Sequence, residues 1–437
     1  MTTTAPSATL ETGARRRPLV GWLVADVISI TGTRVSMIAI PLFVLAATGS
    51  ATRTGLVAFA ELVPLIALKA LCGPVIDRLG ARRVAVTCDL GSTIVVGSVP
   101  ILYAASRLPF VAFLALVALA GALRGPGDAA KNALAPVVAA TARVPMERVT
   151  GLAGTAERTA TMTGAIIAGL LVAATGPANA LYVDAGSFAA SAGVLLWGIA
   201  APLSASNDSG FGSPENLDNP DNLDNPESLS YLGQLRAGWD FLRTDRLLLG
   251  IAVMVAMTNL IDQAWVSVLL PVWAIDSTRG AAALGLLLAV FGGLAALGAL
   301  SAAVWAARLH RHAVYLGAFL VAGLPRFLVL AYDTPIWVAL VTFGLGGFAA
   351  GFINPIIGAV EFERIPAPLV GRVSSLVTSM AWGLMPLGGL LGGLLVDVWG
   401  LQVALVSCGV GYLAVTMLPA IGPTWRELGR RPSPCAT

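Results

Sequence analysis

The sequence predicts an all-α integral membrane protein of twelve transmembrane helices arranged as two parallel six-helix repeats. Three observations carry that prediction. The 437 residues are 57% hydrophobic and only 12% charged, with a mean hydropathy of +0.82, whereas soluble domains carry about twice that charge. Apolar stretches of about 20 residues, the length that crosses a bilayer as a helix, recur between short clusters of Gly, Pro and charge. Finally, the chain repeats itself. Gly164-Ala-Ile-Ile-Ala-Gly-Leu-Leu-Val, closing at Gly176, aligns at an offset of 224 with Gly388-Gly-Leu-Leu-Gly-Gly-Leu-Leu-Val, closing at Gly400, and Arg148-Val149 meets Arg372-Val373 at the same offset. An offset of 230 aligns Pro41 with Pro271, Gly55 with Gly285, and Arg78-Leu79 with Arg308-Leu309. A transmembrane barrel would instead show weak alternating segments of about ten residues.

Taken in order, residues 1–18 form a polar tail ending in Arg15-Arg16-Arg17. The apolar run that follows is too long for a signal-peptide core, so no cleavage is expected. Spans of a first bundle, 19–202, are expected at 19–46, 54–76, 84–105, 108–133, 149–175 and 178–202. Residues 203–246 form a polar linker whose Asn/Asp/Pro tandem, Asn216 to Glu227, predicts disorder. From Tyr231 to Arg246 helical periodicity returns, with Leu235, Trp239 and Leu242 on one face, as expected of an interfacial helix. The second bundle, 247–421, is expected to span at 247–274, 281–307, 313–332, 335–360, 373–398 and 400–421, and 422–437 form a tail. Six spans per half give the repeats one common orientation, a parallel duplication.

With the amino terminus inside, most loop arginines fall on one face and only Arg53, Arg107 and Arg279 on the other. By the positive-inside rule both termini are cytoplasmic. The pI of about 8.8 therefore reflects cytoplasmic loops and not a nucleic-acid surface. Cys72, Cys88, Cys408 and Cys435 lack metal-binding spacing, and the only histidines, His310 and His312, share a turn. With no nucleophile constellation, metal set or phosphate loop, neither an enzyme nor a cofactor is expected.

Charges inside spans are costly and face a cavity or a partner. Asp26 and Arg34 lie on span one, Glu61 and Lys69 on span two. Measured from Arg17 and Arg78, Asp26 and Lys69 share a depth of about 14 Å, and Arg34 and Glu61 one of about 26 Å. Two ion-paired rungs are expected, Asp26 with Lys69 and Arg34 with Glu61, with Asp26 and Glu61 as proton-coupling candidates. Asp128 and Lys131 read as gate or packing residues at the cytoplasmic end, and Asp89 and Asp184, near span ends, as local caps or loop anchors. In the second half Asn259 and Asp262 are cavity candidates on span seven, and Arg326 lies inside span nine. Most tryptophans fall at span ends, as interfacial residues do. Trp265 and Trp382 lie within spans, where either a ligand or the core could take them.

The charged turn from Gly73 to Arg83, with Gly73, Asp77, Arg78, Gly80, Arg82 and Arg83, resembles the signature loop between the second and third helices of the major facilitator superfamily. With Val35-Ser-Met-Ile-Ala-Ile-Pro-Leu-Phe-Val-Leu, Gly371-Arg-Val and Pro386-Leu-Gly-Gly, the chain looks closest to its twelve-span drug:proton antiporter branch of multidrug and macrolide efflux. That resemblance implies a cytoplasmic gate at the Gly73–Arg83 loop. It implies that Arg124, in Arg-Gly-Pro-Gly-Asp128, is the fourth-helix arginine associated with proton transfer. Gly164 to Gly169 resembles the fifth-helix motif of exporters with its proline lost, and the resemblance places span nine in the outer supporting set, which implies a structural role for Arg326. The function so implied is proton-coupled export of a small amphipathic drug or secondary metabolite across a bacterial cytoplasmic membrane, by a monomer. An importer or facilitator of a small metabolite, or a non-transporting membrane receptor, are the alternatives.

Overall fold

A computed structural model describes residues 8–199, 231–305, 309–366, 369–422 and 425. The Asn216–Glu227 tandem, Arg308 and the side chain of Leu235 lie outside what it describes. Within it, span one is Ala8–Thr48, two Ala51–Leu71, three Ala81–Ala104, five Met146–Thr175 and six Pro177–Gly198. Span four, Phe110–Ala133, continues after a break at Leu134 as Ala135–Ala142. Span seven runs from Arg246–Ala264 through a π-helical turn, Trp265–Leu269, into Leu270–Asp276. Span eight is Gly280–Trp305, nine is Arg311–Ala322 followed by Leu324–Ala331, and ten is Ile336–Arg364. Span eleven begins as Val370–Gly383 and resumes in Met385–Ile421, whose later part is span twelve.

By length and apolarity alone eleven described helices could cross a membrane, because spans eleven and twelve run on without a loop. They are parted at Gly400, where φ is +82° and ψ 163°. Gly176, at the offset of 224, parts spans five and six with φ +83° and ψ 158°. Only glycine takes such a conformation freely, so the duplication read from sequence reappears as the same backbone turn in both halves.

Span one packs on five and six, two on four and eleven, five on eight, seven on eleven and twelve, and nine on ten and twelve. The halves therefore meet along two seams, span two with eleven and span five with eight. Both are built of small residues, which let helix backbones approach closely. A Cβ on Gly55 would lie 2.1 Å from the carbonyl oxygen of Gly389, and one on Gly169 would lie 2.9 Å from the Cα of Gly285.

The linker helix, Tyr231–Thr244, forms where periodicity placed it, and one face packs on the second bundle. Trp239 is exposed, but Leu242 is fully buried among Leu248, Ile365 and Val373, and Gly238 lies against Leu376 of span eleven. The helix stops because Asp245 is given over to the next one. Its carboxylate accepts the Leu247 and Leu248 N–H groups at 3.0 and 3.1 Å and is held by Arg364 at 2.7 Å. The Gly73–Arg83 turn is itself ordered, as a short helix, Gly73–Leu79, ended by Gly80 at φ +86°.

Candidate functional site

A cavity of about 410 Å³ lies between the halves, walled by spans one, two, four, five, seven and eleven. Its first-half wall carries Asp26, Arg34, Glu61, Lys69, Arg124, Asp128 and Glu157; its second-half wall is neutral, with Gln263, Val266, Ser267, Trp382 and Met385. Asp26, Arg34, Glu61, Lys69 and Arg124, the charges read as ion-pairing or proton-coupling, thus share one space, and Asp128 joins them.

Their pairing differs from the expected rungs. Glu61 accepts from Arg124 of span four at 3.1 Å. Arg34 donates to Thr161 of span five at 2.9 Å and touches Met37. The Lys69 ammonium stands 5.4 Å over the Trp382 ring, across the seam. Asp26 makes no ion pair among the described residues; the charges nearest it are Lys131, Asp128, Glu157 and Asp89. Matched depth on two helices does not fix azimuth. Span one is packed on five and six and span two on four and eleven, with the cavity between them. Local sequence explains the outcome at Glu61. Gly121 and Gly125 flank Arg124, and a Cβ on either would lie 2.1 or 2.3 Å from the Glu61 or Leu65 carbonyl oxygen. Spans two and four therefore touch where Glu61 and Arg124 sit. The exporter-like motif of span five acts similarly: Gly164 lies against Arg34, and Gly169 against span eight.

Asp89 and Asp184 are not local caps. Asp89 forms a buried ion pair with Lys131 at 2.9 Å, accepts from Ser191 at 2.6 Å, and shares that lysine with Ser29. Asp184 accepts a hydrogen bond from Ser36 of span one. Both belong to the side-chain network joining spans one, three, four and six, so Lys131 has a packing role here.

Of the four expected cavity residues in the second half, Trp382 alone lines the space. Asn259 donates to the Ala381 carbonyl of span eleven at 2.9 Å. Asp262 is paired with Arg326, whose guanidinium lies 4.9 Å from the rings of Trp265, Phe327 and Tyr412 and 5.9 Å from Phe291. Trp265 is thus part of a buried cage around a cation, and the structural reading of Arg326 stands. One helical step, about 100°, separates Asp262 from the cavity-lining Gln263, which sequence depth could not resolve.

The two ends of the cavity differ. At the face carrying the Gly49 turn, the Asp397 carboxylate of span eleven accepts from Ser50 Oγ at 3.0 Å and from the Ala51 and Thr52 N–H groups at 3.1 and 2.8 Å, capping span two from across the seam. At the opposite end Asn132 and Glu157 are exposed lining residues. There Asp77, Arg78 and Arg83 are exposed, and Arg82 donates to the Leu196 carbonyl of its own half at 3.1 Å. The cavity is closed towards Gly49 and reaches the surface towards Gly73. Asp397 was not singled out by sequence.

The profile of the Major Facilitator Superfamily matches residues 23–278 and again 252–434. The chain is 28% identical over 422 residues to the multidrug efflux pump Tap of Mycobacterium tuberculosis, covering 96% of both chains. To the multidrug efflux pump Tap of Mycolicibacterium fortuitum it is 29% identical over 421 residues, covering 95% of this chain and 98% of that one. Among solved structures, the nucleoside transporter NupG superposes with a TM-score of 0.73 at 14% identity, over 92% of this chain and 99% of that one. A bacterial homologue of the human lysosomal transporter Spinster, inward-facing and unoccupied, does so with a TM-score of 0.68 at 11% identity, over 99% and 100%.

Proposed function

The chain belongs to the Major Facilitator Superfamily, and from that premise we propose that it is a proton-coupled exporter of small amphipathic drugs or secondary metabolites. The observation that carries this reading is the cavity at the junction of the halves. One wall is charged and titratable, the other neutral and partly aromatic, and the space is closed at one face only. An amphipathic compound can meet polar groups on one side and Trp382 and Met385 on the other. The relatives named as multidrug efflux pumps support the outward direction. On this reading the Gly73 face and both termini are cytoplasmic, the protein works as a monomer in the cytoplasmic membrane, and the Gly73–Arg83 turn with Asp128 closes the cytoplasmic end in the other state.

Coupling is assigned to the Glu61–Arg124 pair with Asp26 as a second carboxylate. A proton on Glu61 neutralises the acceptor of Arg124 and frees the guanidinium; its return to ionised Glu61 expels the proton. A charge-assisted bond of this kind contributes about 1.5–3 kcal/mol, enough to bias two conformations by tenfold or more. Arg34 and Lys69, which stand on neutral groups, keep the cavity's acids from being uniformly repelled.

The test uses inside-out vesicles holding wild type or Glu61→Gln, a panel of lipophilic antibiotics and dyes, and an inward-acidic gradient. Wild type should accumulate substrate and lose it when the gradient collapses, and Glu61→Gln should transport without responding to the gradient. Gradient-dependent accumulation in Glu61→Gln would remove Glu61 from the mechanism; accumulation only in right-side-out vesicles would reverse the direction.

A further inference from the structure

A second cavity, of about 560 Å³, lies outside the transport path, between spans seven and twelve. Arg246 stands at one end, Trp425 beside it, and Gly250, Val253, Met257 and Val415 continue the wall. We propose that this groove is a binding site for an anionic phospholipid, with the lipid phosphate on Arg246 and one acyl chain laid along the groove.

Length argues for that occupant. From Arg246 to Met257 the helix rises about 16 Å, close to half of the ~30 Å hydrocarbon core of a bilayer. The groove therefore runs through the depth of one monolayer and then stops. Its composition follows the same profile, with a cation and a tryptophan at the polar boundary and apolar side chains, including the adaptable thioethers of Met254 and Met257, below them.

Charge argues for an anionic head. Arg246 is exposed and makes no ion pair among the described residues. Its neighbour Asp245 is already committed to Arg364 and to the backbone of Leu247 and Leu248, and Arg243 is paired with Asp240 at 3.0 Å. A guanidinium at a membrane boundary with no acceptor among the described residues suits a phosphate, which it can grip bidentately.

The duplicated half supplies a comparison within the molecule. At the corresponding end of spans one and six, the Arg17 guanidinium lies 4.4 Å over the Trp197 ring. There Gly21 and Gly198 are so close that a Cβ on the first would sit 2.7 Å from the Cα of the second; the junction is shut and its arginine occupied. In the second half Trp425 is buried and set against Tyr315 at 5.5 Å. Its ring stands at Gly250, 3.5 Å from where a Cβ would be. The ring lies against span seven and Tyr315, and no cation–π contact of Arg246 is found among the described residues. The groove is a departure from the repeat and not a general consequence of packing two spans.

The experiment measures binding of phosphatidylglycerol and of phosphatidylcholine with identical chains to the purified full-length protein, by native mass spectrometry and by the shift of the melting curve. Wild type should retain phosphatidylglycerol in preference. Arg246→Gln should lose that preference, weakening phosphatidylglycerol by roughly tenfold or more and phosphatidylcholine, whose phosphate is already balanced by its own choline, by clearly less. Val253→Trp, which fills the groove from an exposed position, should lose both lipids while melting normally without lipid. Equal retention of the two lipids by wild type, or phosphatidylglycerol retention unaltered in either variant, would overturn the assignment.

Discussion

Asp397 joins the two halves at the closed face, and its removal should open that face. The carboxylate caps span two from span eleven through the Ala51 and Thr52 N–H groups and Ser50 Oγ, and Ser50 in turn caps Arg53 at 3.3 Å. An N-cap contributes about 0.5–2 kcal/mol, and a negative charge at a helix start adds about 0.3–1 kcal/mol where screening is weak. Asp397 is exposed, and water can replace it on the freed N–H groups, so the net stabilisation of the closed face should be about 1–2 kcal/mol. Asp397→Ala should then raise the ratio of open to closed face by about 5–30-fold. Asp397→Asn, which keeps an acceptor oxygen but no charge, should fall between. Spin labels at Arg53 and Trp399 in a cysteine-free background, read by double electron–electron resonance, give the two populations directly. An unchanged distance distribution in Asp397→Ala would mean that the glycine seam alone closes this face.

Other expectations follow from the same contacts. Lys131→Met leaves the buried Asp89 without its counter-ion, with only Ser191 donating to it, and should cost about 3–5 kcal/mol, seen as early unfolding on heating in detergent; adding Asp89→Asn should recover most of the loss. Gly169→Val places a side chain into the Gly285 backbone and should abolish transport by preventing closure of spans five and eight, with surface expression preserved. Trp382→Ala removes both the aromatic wall and the platform of Lys69; KM for planar substrates should rise several-fold while Trp382→Phe stays near wild type. Arg326→Leu empties the buried aromatic cage of its cation and leaves the partly exposed Asp262 without its counter-ion; it should destabilise, and adding Asp262→Asn should recover only a small part of the loss, as a double-mutant cycle of melting curves would report.

Much of the architecture was legible because it rests on quantities a sequence carries directly. Apolar length locates spans, and glycine at a turn that needs positive φ recurs at Gly176 and Gly400. The gathering of Asp26, Arg34, Glu61, Lys69 and Arg124 into one cavity was likewise foreshadowed by the cost of leaving charges in lipid. Partners were not legible. Whether Glu61 meets Arg34 or Arg124 depends on which helices touch, and that was settled by Gly121 and Gly125 of span four. Depth gave no azimuth, so Asp262 was placed in the cavity that Gln263 lines. Asp397 was missed because its partners are backbone N–H groups 345 residues away for Thr52, for which no residue type gives a signal.

The placement of charge gives the halves different roles under the proposed mechanism. Every titratable residue lining the cavity comes from the first half, while in the second half the buried Arg326 is held among aromatic rings and tied to Asp262. A proton event is therefore sensed in the first half and has to be conveyed to the seam. Span two is the element placed to convey it. It bears the Asp397 cap at one end, Glu61 on Arg124 in the middle, and Lys69 on Trp382 towards the other. Two of these contacts are with span eleven and one is with span four. Releasing Glu61 from Arg124 loosens span two from its own half while its holds on span eleven remain, and restoring that bond draws it back. Span two would then be the rocking element, its equilibrium set by one ion pair on one side and by a cap and a cation–π contact on the other.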